Sequence, residues 1–120
     1  MIGYKVVTDD YKSAIVWGFP HELEYEIGNT TKSIPGTMGV FFFRDLNAAM
    51  DFAGSHWNRI LKVNASADAR QVDYVHDYKN LRNCYDHNYY PNVESPHGSW
   101  VADHITVIEE VNWRTDHDRL

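Results

Sequence analysis

The sequence is poor in the features that most often declare a function. Cys84 is the single cysteine among 120 residues, so no disulfide can form within the chain and a reducing compartment is expected. No apolar run approaches the roughly 20 residues that a membrane-crossing helix needs, so no membrane partner is expected. Positive charge is in the minority, with 11 Lys and Arg against 17 Asp and Glu and a formal net charge of −6. Such a surface repels phosphate backbones unless its cations cluster, and these are scattered, so direct nucleic-acid binding is not expected. There is no Cys-x-x-Cys pair and no Gly-x-Ser-x-Gly elbow. Gly36-Thr-Met-Gly39 lacks the lysine of a phosphate-cradling loop and leads into a strand, not a helix. No internal repeat is visible. The start, Met1-Ile-Gly-Tyr-Lys-Val-Val, enters a strand pattern at once, which leaves no room for a signal peptide and predicts a cytoplasmic protein.

What is present suits a packed domain. The chain is 43% hydrophobic and 14% aromatic, enough for one core without metal or disulfide. A single domain over 1–113 is expected, with a charged tail, 114–120, that frays. The signals agree best between Gly36 and Ala65. Val40 to Phe43 is apolar on both faces, as in a strand covered on each side. Asp45 is the expected N-cap of a helix reaching Ala53, with Leu46, Ala49, Met50 and Ala53 on one face and Gly54 as the left-handed stop. Arg59 to Ala65 is the next strand.

Elsewhere, alternation predicts a strand at Ile2–Val7 and a second at Ser13–Gly18 that returns as a hairpin. A third is expected at Glu22–Ile27, with Leu23, Tyr25 and Ile27 inward and Glu22, Glu24 and Glu26 outward. Those three acids either guard a sheet edge by repulsion or form a ridge for a basic partner. Gly28 to Ile34 reads as turn. The stretch 71–75 is a short strand or a helix start. His104 to Trp113 is a strand with Ile105, Val107, Val111 and Trp113 inward. Between them, 77–100 reads as a long irregular loop, unusual in a compact domain and usually functional or mobile.

That loop carries the best functional signal. Tyrosine and tryptophan offer large contact area at little entropic cost, and asparagine offers adaptable hydrogen bonds. Tyr85, Asn88, Tyr89, Tyr90 and Trp100 have the composition of a recognition surface, or of a lid folded back over the sheet. His76, Cys84, His87, His97 and His104 fall in or beside it. Their spacings are irregular for tetrahedral zinc, so no metal and no other cofactor is expected. Cys84 near His76 and His87 does not make a catalytic dyad by neighbourhood alone.

Two families bear comparison. Tyr4-Lys-Val, Tyr25-Glu-Ile-Gly28, Gly39-Val-Phe-Phe-Phe with Leu46 and Ala49, Ile60-Leu-Lys-Val and the run Ala102 to Glu110 resemble a small uncharacterised domain of phage and bacterial proteins. That resemblance implies a fold and a mobile-element origin, with 77–100 as an insertion. Val40–Phe43, Ala48–Ala53 and Ile60–Val63 are also similar to ADP-ribosyltransferase folds. In those, an Arg or His on the first strand holds the nicotinamide dinucleotide and a late Glu acts in catalysis. Here Tyr4-Lys5 stands in the first place, and Glu109 or Glu110 in the second by chain order.

The sequence thus predicts an α+β domain, a twisted, mainly antiparallel sheet of about five or six strands with one helix on it. The expected function is a non-enzymatic, acidic, phage-type interaction module with a protein partner, in its sharpest form an inhibitor that occludes the surface of a bacterial defence complex. The alternatives are a dinucleotide-using enzyme and a nucleic-acid mimic.

Overall fold

The computed structural model describes residues 1–13, 23–35, 38–54, 59–75, 93–94 and 97–113. In chain order the elements are β1 (Ile2–Val7), β2 (Thr30–Lys32), β3 (Val40–Phe43), α1 (Leu46–Ala53), β4 (Arg59–Ala65), β5 (Arg70–Gln71), β6 (Tyr74–Val75), β7 (Val93–Glu94), β8 (Ser99–Ala102) and β9 (His104–Val111). Seven strands form one sheet in the order β2-β9-β4-β1-β3-β8-β5, and β6 pairs with β7 apart from it. All of these ladders are antiparallel. No described helix is long and apolar enough to cross a membrane.

The expected α+β class holds, and the sheet is wider than expected. Its two edges, β2 and β5, lie where no strand of that extent was expected, and β8 begins within the expected loop. Thr30–Lys32 lies in the stretch read as turn, and Arg70–Gln71 is too short for alternation to register. Both are recruited by longer neighbours, β2 by β9 and β5 by β8.

The sheet is buried on both sides because its interior strands are apolar on both faces. On the helix side Val6, Phe43, Ile60 and Trp113 meet Ala49 and Ala53 of α1. On the other side Val7, Phe42, Leu61, Val63, Ile105 and Val107 form a second layer that Tyr25 caps. Phe42 and Phe43 are adjacent in sequence and serve opposite layers, as strand alternation requires. Leu61 and Ile60 divide in the same way.

Helix α1 starts and stops as its sequence predicts. The Asp45 carboxylate accepts from the Asn47 amide at 3.1 Å. Gly54 takes φ +46° and donates its N–H to Met50 O, although its ψ of −131° lies outside the left-handed helical region. Ala49 and Ala53 are fully buried, which lets the helix axis approach the sheet closely. Phe52, off the inward face, stacks at a tilt on Phe43 with ring centroids 5.3 Å apart.

Other expectations need correction. His104 to Trp113 does not keep one alternation. Lys62 pairs with Glu109 but Val63 with Val107, so Ile108 is an extra residue in a bulge. The bulge reverses the phase: Ile105 and Val107 face the second layer, while Val111 and Trp113 join the helix side. Glu22–Ile27 is not a strand in its described part, where a single bridge, Lys12 to Glu24, is formed. Its backbone bonds go to different partners, Tyr25 N–H to Tyr11 O and Gly28 N–H to Val107 O, so no one strand pairs with it. Leu23 and Tyr25 still face in, but Ile27 is 54% exposed. The hairpin strand at Ser13–Gly18 lies outside the described residues beyond Ser13, which bridges Val7. The irregular loop expected over 77–100 is too long: β7 and β8 fall within it, and Trp100 is a strand residue. The tail 114–120 lies outside the described residues.

One glycine is required by packing. The Phe42 ring lies over Gly3, where a Cβ would collide with it and would also sit 2.9 Å from Phe43 O. Gly3→Ala is therefore expected to destabilise the fold by about 1–3 kcal/mol through overpacking. Urea unfolding checks this; a midpoint equal to wild type would contradict the packing described.

Candidate functional site

Ionisable groups are concentrated on the sheet face away from the helix, among apolar neighbours. Lys5 of β1 is in register with Leu61 of β4, and Leu61 with Glu110 of β9. The row places Lys5 and Glu110 on one face, two strand spacings or about 10 Å apart along the sheet. Lys5 and Glu110 each anchor a separate polar cluster.

The first cluster sits where two strands part. β1 and β3 share one register pair, Tyr4 with Phe43. Beside it, Lys5 Nζ donates to Phe41 O at 2.7 Å and lies 5.4 Å from the centre of the Tyr25 ring. Loss of hydration pulls the Lys5 amine down to about 8. Burial pushes the Tyr25 phenol up to about 12, with a hydrogen bond from Ser13 partly opposing. Both shifts have the same cause, since a low-dielectric setting disfavours whichever form is charged. At neutral pH the amine is still mostly protonated and the phenol neutral.

The second cluster ties residues 8–13 to the sheet. Tyr11 is the one non-glycine residue with positive φ (+62°) among the described residues. Its hydroxyl donates to Glu110 Oε1 at 2.7 Å, and its ring lies 4.7 Å from the Arg59 guanidinium. Arg59 Nη1 reaches Glu110 Oε2 at 2.8 Å, and Arg59 Nε donates to Asp9 O at 3.0 Å. The Tyr11 backbone is engaged as well, its N–H with Thr8 O and its carbonyl with the Tyr25 N–H. A strained backbone persists only where its surroundings over-determine it, and these contacts do so. Burial tends to raise the Glu110 carboxyl, but the Tyr11 hydroxyl and Arg59 together hold it below the ordinary carboxylate range. The bond to Glu110 is also the main reason the Tyr11 phenol is raised.

A third group lies where β4 leaves the sheet. Ser66 donates to Asp68, Asp68 accepts from the Asp103 amide, and His104 Nδ1 lies 3.0 Å from Asp103 Oδ2. It is an exposed turn stapled by its own side chains.

The residues nominated from sequence are distributed differently. Trp100 is partly buried against the second layer, with the Arg44 guanidinium 5.4 Å from its ring centre. It is part of the wall, not a free anchor. Glu24 and Glu26 are exposed, and Glu26 accepts from Asn29 Nδ2 at 2.9 Å. Glu22, Tyr85, Asn88, Tyr89, Tyr90, His76, Cys84 and His87 lie outside the described residues. Among the described residues, no three His, Cys, Asp or Glu side chains converge on a possible metal position. Glu109 pairs with Lys62 while Glu110 pairs with Leu61, so the two glutamates point to opposite faces.

Ser13, Tyr11, Tyr25 and Arg59 complete the clusters and were not singled out by sequence. Tyr25 and Arg59 look like an ordinary inward aromatic and a strand opener, and nothing local marks Tyr11 for positive φ. The sequence signals were Lys5, a lysine in the run Tyr4-Lys-Val-Val that alternation puts on the same face as Val7, and Glu110, nominated by chain order.

Compared with family models, with curated proteins and with solved structures, the chain matches none.

The Glu110 cluster gives a pH prediction. A carboxyl held lower in the folded state than in the unfolded chain contributes stability above its unfolded pKa and loses it as pH falls through the folded one. Wild type should therefore lose stability on acidification below about pH 4.5, the ordinary glutamate range. Glu110→Gln should be less stable at pH 7 and show a shallower decline between pH 5 and 3. Parallel pH profiles for the two proteins would refute the assignment.

Proposed function

We propose that this chain is a protein-interaction module that acts by occluding its partner's surface, and that its recognition element is the tyrosine- and asparagine-rich segment 76–92. The supporting observation is the β6–β7 ladder. Tyr74 pairs with Glu94 and Val75 with Val93, so the two ends of the segment are held side by side by their own strand pair, separate from the seven-stranded sheet. A recognition segment clamped at its base loses less entropy on binding than one hung from free ends. The segment's composition, which includes Tyr78, Tyr85, Asn88, Tyr89 and Tyr90, supplies the aromatic anchors that dominate interfaces. Glu24 and Glu26, exposed beside the β2 edge of the sheet, favour a partner surface that is basic. The phage-domain resemblance makes an inhibitor of a bacterial defence complex the sharpest form of this reading.

The alternatives fit the geometry less well. A nucleic-acid mimic needs its acids on one continuous surface, yet Glu109 and Glu110 face opposite ways and Glu110 is paired with Arg59. A dinucleotide-using enzyme needs a late glutamate free to act beside the first strand's Lys5; both Glu110 oxygens are engaged, one by Tyr11 and one by Arg59, and Glu109 lies on the opposite face from Lys5.

The test is affinity capture from bacterial lysate with wild type and with Tyr89→Ala combined with Tyr90→Ala. Capture of the specific partner should fall at least about tenfold, as expected for loss of one interface anchor, with the melting temperature unchanged. Retained capture together with a lowered melting temperature would show that the two rings belong to the core.

A further inference from the structure

Lys5 is a partly buried ammonium with no acid beside it among the described residues. Its three N–H donors meet one hydrogen-bond acceptor, Phe41 O, and the face of one ring, Tyr25. Two other cations of the described structure are paired with acids: Arg59 with Glu110 and Lys12 with Asp10. Glu110, the acid in the Lys5 cross-strand row, lies two strands away and is committed to Tyr11 and Arg59. Among the described residues no acid pairs with this amine, although loss of hydration lowers its pKa. A charge withdrawn from water is stable only where something compensates it, and a buried group with unmet donors calls for an explanation.

The surroundings indicate the kind of group that would satisfy it. Tyr25 is held neutral by burial, so it can donate a hydrogen bond but adds no negative charge, and the Ser13 hydroxyl bonds to it. The amine sits where no further ladder pair joins β1 to β3. It is therefore beside a break in the sheet, not beneath a continuous one. The geometry points to Lys5 as the charged centre of a binding site for a small anionic group, a phosphate or a carboxylate, received where β1 and β3 separate. A lysine ammonium acts there as a point charge, which suits either group.

The experiment uses the full chain with ¹⁵N-labelled lysine and follows the Lys5 Nζ resonance. Inorganic phosphate and acetate are the probes, with sodium chloride at matched ionic strength as the control. Saturable movement of the Lys5 resonance with phosphate, acetate or both, absent with chloride, is expected, and the stronger probe identifies the group. The amine pKa should rise from about 8 when the site is filled, because a neighbouring anion favours the charged form. Lys5→Met, which keeps the length and removes the charge, is compared with wild type through the backbone amide resonances of Tyr4 and Phe42 in uniformly ¹⁵N-labelled protein, where the substitution should weaken saturable anion binding at least tenfold. A resonance that follows ionic strength alone would show that water completes the amine, and would overturn the proposal. So would saturable binding that survives in Lys5→Met. If that variant does not fold, the wild-type titration decides by itself. No partner protein enters the measurement, so its outcome is independent of the interaction-module reading.

Discussion

The structure depends on keeping both faces of one sheet dry at once. Phe42 and Phe43 enter opposite layers from adjacent positions, as do Leu61 and Ile60, so uncovering either face exposes half of the interior strands. On one side the cover is α1, and its small residues Ala49 and Ala53 set how closely it approaches. On the other side there is no helix in the described structure. Residues 8–13 and 23–27 supply the cover with Tyr11, Leu23 and Tyr25. They form almost no ladder of their own and must be fastened by side chains. The fastening is Tyr11 to Glu110 and Arg59 to Glu110, with Arg59 also reaching back to Asp9.

This arrangement explains why ionisable groups occur on an apolar face. Glu110 and Arg59 are both about one-third exposed, at 31% and 38%. Each alone would contribute little in water. With the Tyr11 ring against the guanidinium and its hydroxyl on the carboxylate, the group works as a unit that can hold a backbone at positive φ. Lys5 differs because nothing of this kind has been built around it. Its amine meets the covering segment only at the face of the Tyr25 ring, and its one hydrogen bond goes to a neighbouring strand. The contrast between one cation in a closed network and another left open separates a structural cluster from a candidate site on the same face.

Much of the scaffold was legible in the sequence because local and tertiary preferences agree there. Asp45, the Ala-rich face and the doubly apolar Val40–Phe43 each dictate their environment unaided. Failures came where a partner strand or a single irregularity decides. Thr30–Lys32 has no strand pattern and is a strand only because β9 offers an edge. Ile108 looks like one more alternating residue, yet as a bulge it redirects Val111 and Trp113 to the other layer. Tyr25 alternates correctly but sits in a segment whose hydrogen bonds diverge to Tyr11 and Val107. Of the candidate site, Lys5 could be placed on a face from alternation, whereas the Tyr11 cluster joins residues 99 positions apart, and nothing in either neighbourhood announces the other.

On the proposed reading, the chain is a scaffold that presents 76–92 for recognition, with the ends of that segment joined by the β6–β7 ladder. Hydrogen exchange on the isolated protein and on its complex with the captured partner tests that reading most directly, because exchange reports protection segment by segment. The account predicts that complex formation slows exchange chiefly within 76–92 and leaves the β1, β4 and β9 ladders unchanged. Protection confined to the seven-stranded sheet, with 76–92 exchanging as in the free protein, would contradict it.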